Sequence, residues 1–111
     1  MGRYISTTPT AGSALRVDIT SNYSAVANDR ILADSTGGSF TITLPADTDV
    51  QAGDVVQVID ISGTSATNPI TVDRNGSNIQ SAADDLTIDV NNTVVTLTYA
   101  NATYGWIVTG V

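Results

Sequence analysis

Apolar residues along this chain recur at every second position in short runs, and Gly, Pro, Asn, Asp and Ser separate the runs. Residues 15–20 (LRVDIT) alternate with period two, and residues 39–44 (SFTITL) do so more cleanly, which places Phe40, Ile42 and Leu44 on one face. Successive side chains of a strand point to opposite faces, so both runs predict half-buried strands. Residues 29–34 (DRILAD) predict another. The glycines of Ser35-Thr36-Gly37-Gly38 supply the positive φ that a tight hairpin between 29–34 and 39–44 needs, and Pro45 ends the strand that follows.

The second half keeps this cadence. Residues 54–61 (DVVQVIDI) form the most apolar run and predict a central strand, entered through Ala52-Gly53 and left through Ser62-Gly63. Residues 69–74 lead into Asn75-Gly76, whose two residues tolerate the left-handed conformation of a type I′ hairpin turn. Residues 86–90 and 93–99 flank Asn91-Asn92 as a second such hairpin. Asn101-Ala102-Thr103 then turns the chain into a last strand over 104–109, with Trp106 and Val108 on one face. Only 81–85 offers as much as one helical turn.

Strands spaced about eight to twelve residues apart, with turn residues between them, predict an all-β fold: an antiparallel β-sandwich or jelly-roll-like single domain over 14–111. Residues 1–13 carry no sustained periodicity and hold Pro9 and Gly12. They are expected to form an extended N-terminal arm, with a reach on the order of 40 Å when fully stretched. The arm is expected either to lie against another chain or to pair with an edge strand of its own domain.

Composition sharpens the class. All eleven acidic residues are Asp and all four basic residues are Arg, with no Glu, Lys, His or Cys. That leaves no imidazole, thiol or amine for catalysis, so a non-enzyme without cofactor or metal is expected. The seventeen Thr, with many Val and Ile, suit a pleated surface, and the missing Glu and Lys remove two good helix formers. Aromatic residues make up only 5% of the chain, so its core must be aliphatic, and oligomerisation is an expected source of further stability. A net charge of −7 and four scattered arginines argue against direct nucleic-acid binding. No apolar run is long enough for a signal peptide or a membrane span, which points to a soluble protein made in a cytoplasm. On that basis the sequons at Asn22, Asn75, Asn91 and Asn101 are expected to be turn asparagines.

The stretch NDRILADSTGGSFTITLP, followed by AGDVVQVID, NPITVDRNGSNI, LTIDVNNTVVTLTYA and a terminal GWIV, resembles the small β-sandwich modules of tailed-bacteriophage virion proteins. Such modules occur in tail fibres, head fibres and capsid decoration (cement) proteins, often as trimers, and the resemblance spans about residues 22–111. It implies a structural virion protein assembled in the host cytoplasm, with a homotrimer and a major capsid or other virion protein as expected partners and no membrane. One short arm and one domain suit decoration of a capsid lattice. The arm would then act as the clasp, with Arg3, Tyr4, Ile5, Pro9 and Arg16 as candidate partner-binding residues. The alternative implied by the same family is a fibre-tip domain that binds a host receptor or glycan, with Tyr99, Tyr104 and Trp106 as a sugar-stacking platform.

Two carboxylate pairs are candidates for a metal or glycosidase site. Asp84 and Asp85 are adjacent, which on a strand sends them to opposite faces, and Asp47 and Asp49 fall in an expected loop where Asp supports turns. Residues 73–78 superficially resemble a calcium loop, but the glycine is in the wrong position and no Glu follows. For the three aromatics, packing at the end of the core is the competing role.

Overall fold

The computed structural model describes residues 15–110, with Leu15 described by its backbone alone. The arm over 1–13, and with it Arg3, Tyr4, Ile5 and Pro9, lies outside the described residues. Nine strands follow in order: β1 (Leu15–Ile19), β2 (Tyr23–Ser24), β3 (Asp29–Ala33), β4 (Phe40–Thr43), β5 (Val55–Asp60), β6 (Ile70–Asp73), β7 (Leu86–Ile88), β8 (Val94–Asn101) and β9 (Gly105–Gly110). One 3-10 turn, Asp47–Asp49, is the sole helical element among the described residues.

The strands build two sheets, one in the order β1-β3-β5-β8-β9 and the other in the order β2-β4-β6-β7. The mostly-β, sandwich-like reading stands, but the expected antiparallel or jelly-roll arrangement is corrected. β1, β3 and β5 pair in parallel, as do β2, β4 and β6. Up to β6 the chain alternates between sheets, so each strand returns beside the strand two before it, and the strand between them lies in the opposite layer. That route replaces the helix that usually crosses between parallel neighbours. Antiparallel pairing begins only where the coil ends: β7 on β6, β8 on β5 and β9 on β8.

Two expected hairpins are therefore corner crossings. Residues 34–39 connect β3 to β4 in the other sheet, and Asn91-Asn92 connect β7 to β8 across the layers. Asn75-Gly76 does adopt positive φ at both residues (49° and 85°), yet the chain then loops through Ile79 before β7 rejoins β6. The turn after β8 joins antiparallel sequence neighbours directly, whereas antiparallel β6 and β7 are joined through the longer loop over 74–85.

The core lies between the layers. Ile31 and Ala33 of β3, Val56 and Val58 of β5, Leu97 of β8 and Trp106 of β9 face Ile42 of β4, Ile70 and Val72 of β6 and Ile88 of β7, all buried. Fully burying one such aliphatic side chain contributes about 1.5–3 kcal/mol. The outward positions carry the threonines, with Thr41, Thr71 and Thr87 aligned across the second sheet. On the first sheet the Gln57 amide donates to the Thr96 hydroxyl at 3.1 Å.

Candidate functional site

The inward faces of the strands carry two carboxylates where the period-two pattern would place apolar residues. Asp60 follows Val56 and Val58 on the inner face of β5, and its register partner in β3 is Ala33. It is 3% exposed. The bend that follows folds back over it: Oδ1 accepts from Gly63 N (3.1 Å), Thr64 N (3.4 Å) and the Ser62 hydroxyl (3.3 Å). Oδ2 accepts from the Ser65 hydroxyl (2.8 Å), Ser65 N (3.2 Å) and Asn92 N (3.0 Å). Burial by itself raises the Asp60 pKa. The Ser65 hydroxyl and the amides of Asn92, Ser65 and Thr64 outweigh it and hold the group below its ordinary value. Asp60 thus ties the β5–β6 crossing to the β7–β8 crossing.

Asp29 opens β3 on the same face as Ile31 and Ala33 and is 1% exposed. It accepts from the Tyr23 hydroxyl at 2.7 Å and from Val26 N at 2.9 Å, and so fixes the corner between β2 and β3. Burial, the hydrogen bond to Asp29 and its negative charge push Tyr23 up to about 12. Both carboxylates act on the chain's own backbone, which leaves neither poised for proton transfer to a substrate. Sequence reasoning missed them. The available signal was an Asp at an inward position of a strand, followed in the case of Asp60 by the donor-rich run Ser62-Gly63-Thr64-Ser65.

Of the residues named for partner binding, Arg16 alone lies in the described region. It stands on the outward face of β1 and pairs with Asp18, Nη2 to Oδ2 at 3.0 Å, with both side chains well exposed (71% and 59%). β1 is an edge strand, with no neighbour on its outer side among the described residues.

The three aromatics named as a sugar-stacking platform do not share an exposed face. Tyr99 and Trp106 do meet, ring centroids 5.4 Å apart in an edge-to-face arrangement, but both are buried and Trp106 is fully enclosed. Their faces serve the core. Tyr104 alone of the three is exposed, in the β8–β9 turn, where its amide donates to the Asn101 side chain at 2.8 Å.

Other carboxylates singled out in the sequence support turns. Asp73 accepts from Asn75 N at 2.8 Å and Asp85 from Arg74 N at 3.0 Å, while Asp47 and Asp49 sit on the 3-10 turn. No group of three or more metal-ligating side chains gathers among the described residues.

A polar cleft of about 640 Å³ opens at the corner of the β1–β2 and β3–β4 crossings, lined by Thr20, Asn22, Asp34, Thr36, Ser39 and neighbouring glycines. Hydrogen bonds from the Thr36 hydroxyl and amide hold Asp34 below its ordinary value. Phe40, also on its wall, is buried, so the cleft offers hydroxyls, amides and one carboxylate without an exposed aromatic face. The chain matches no protein-family model, and no curated protein aligns with it significantly.

Proposed function

We propose that this protein is a structural component of a tailed-bacteriophage virion, a decoration or cement protein that binds the capsid surface as an oligomer and turns over no substrate. Its action would be adhesion. Edge-strand backbone groups and the arm over 1–13 would add to neighbouring surfaces, with hydrogen bonds giving register and apolar contacts giving affinity. The observation that carries the reading is the succession of motifs over 22–111, which resembles phage virion modules and folds here into one two-layer body. Two features support an adhesive role. The buried carboxylates, Asp29 and Asp60, are engaged by the protein's own hydroxyls and amides. Among the described residues β1 is an edge strand with no neighbour on its outer side.

The fibre-tip alternative has one observation in its favour, the polar cleft around Asp34, whose hydroxyls and amides suit a saccharide better than the aromatic pair does. Antibody labelling of particles from the phage that encodes the chain separates the two. Label over the capsid surface supports decoration, label at fibre tips supports the receptor reading, and particles devoid of the protein refute both.

A further inference from the structure

The β1 edge is self-complementary. Ile19 accepts a hydrogen bond from Asp34 N through its carbonyl (3.0 Å), which fixes the sense of the β1–β3 ladder. Both backbone polar groups of a strand residue point to the same side, and successive residues alternate. Val17 therefore bonds toward β3, as Ile19 does, and Arg16 and Asp18 present their N–H and C=O groups to the outer side of β1, where no strand pairs among the described residues. Unpaired edges of this kind invite another strand. Their side chains stand together on the solvent face of the sheet.

We infer that β1 is the interface at which two copies of this chain join, by antiparallel pairing of β1 with β1 about a twofold axis through Val17. Centring the pair on Val17 sets Arg16 of each copy opposite Asp18 of the other. Both are edge-facing residues, so each pair exchanges its two N–H···O bonds. Opposite charges then face one another across the strands on both sides of the axis, as isologous symmetry demands. A parallel pairing in register would instead set Arg16 against Arg16 and Asp18 against Asp18. Charge complementarity selects a second copy in the antiparallel sense, and the first sheet becomes continuous across the dimer. The inference stands on strand geometry and charge, independent of the virion reading.

Because the contact is one strand wide, it falls at the small end of specific interfaces, and a weak, concentration-dependent dimer is expected. The test is sedimentation of the full chain across a concentration series, with Arg16→Asp, Asp18→Arg and Asp18→Pro. Each single charge reversal sets like charges opposite one another at both pairs and weakens self-association at least about tenfold. An equimolar mixture of Arg16→Asp and Asp18→Arg restores opposition of charge and recovers a dimer. Asp18→Pro removes an N–H that faces only the open edge, so it blocks pairing and spares the β1–β3 ladder. Raising the salt concentration weakens the wild-type dimer. The inference is overturned by a wild-type monomer at all concentrations, as would follow if residues 1–14 cover the edge. It is equally overturned by a mixture that stays monomeric, or by a trimer indifferent to both reversals.

Discussion

Replacing Asp60 with Asn keeps the side chain's shape and removes its charge, which makes it a direct probe of the tie between the two crossings. Each carboxylate oxygen accepts from two backbone amides and a hydroxyl. In the variant one oxygen becomes an NH₂ group, so whichever way the amide is turned, two backbone N–H donors face another donor. Placing the nitrogen at the Oδ1 position gives up the longer set and costs least. A buried donor left without an acceptor costs about 1–3 kcal/mol, and bonds to a charged acceptor are worth roughly 1.5–3 kcal/mol against about 1 for a neutral one. With partial relaxation at the bend, Asp60→Asn should lose about 3 kcal/mol, a large part of a small domain's stability. In a chain of this size that lowers Tm by roughly 10–25 °C.

Stability against acid provides a second reading of the same residue. Asp60 has its pKa lowered in the folded state from an ordinary value of 3.8. Between the folded and unfolded pKa values the unfolded chain binds more protons, so the Asp60 contribution is complete above the unfolded value and is lost as pH falls through the folded one. Urea unfolding of wild type and variant at neutral pH and below about pH 4 measures both effects. The variant's acid slope should be shallower, though not flat, because Asp34 is lowered in the same sense and remains. Stabilities within about 0.5 kcal/mol of each other at neutral pH, together with equal acid slopes, would refute the argument that this carboxylate holds the crossings.

Other residues give sharper or opposite outcomes. Gly105 begins β9 at a φ of 71°, and an added Cβ would fall inside the Asn78 carbonyl, so Gly105→Ala should cost more than about 3 kcal/mol or prevent folding, read by circular dichroism. Tyr23→Phe removes a hydrogen bond from buried Asp29 and should cost about 1–3 kcal/mol in urea unfolding. Since Tyr23 is raised to about 12, its contribution is complete below its ordinary value of 10.0 and is lost as pH rises through about 12, a loss the Phe variant should not show. Trp106→Ala should lose about 3–5 kcal/mol, whereas Tyr104→Ala, at an exposed turn position, should stay within about 0.5 kcal/mol of wild type.

Period-two alternation made the strands legible because it records burial of one face, and Phe40, Ile42 and Leu44 are buried as that pattern requires. The same alternation is silent about the direction of the neighbouring strand. Parallel sheets usually read as continuous apolar runs because both their faces are covered. Here one face of each parallel strand meets solvent, with Thr41, Thr43 and Thr71 outward, so the strands read as antiparallel ones do. Gly37-Gly38 added to that reading. Glycine permits a sharp change of direction, but not whether the chain folds back beside its own strand or steps across to the opposite layer.

The distinction lies in side chains that bond at long range. Asn68 donates from its Nδ2 to the Ser35 carbonyl at 2.8 Å, and the Ser35 and Thr64 hydroxyls meet at 2.8 Å, which joins the β3–β4 and β5–β6 crossings of successive turns of the coil. Asn75 Nδ2 reaches the Leu44 carbonyl at 2.9 Å and does the same at the far end of β4 and β6. These are polar residues that a local reading assigns to isolated turns, yet each satisfies a backbone or hydroxyl group some thirty positions away along the chain. Stacked crossings place polar groups of one turn beside those of the next, where each must find a partner once it leaves water. In this fold Asn and Ser at the corners therefore specify the parallel stacking that the strand pattern leaves open, and buried Asp60 joins the β5–β6 crossing to the β7–β8 crossing by the same kind of long-range bond.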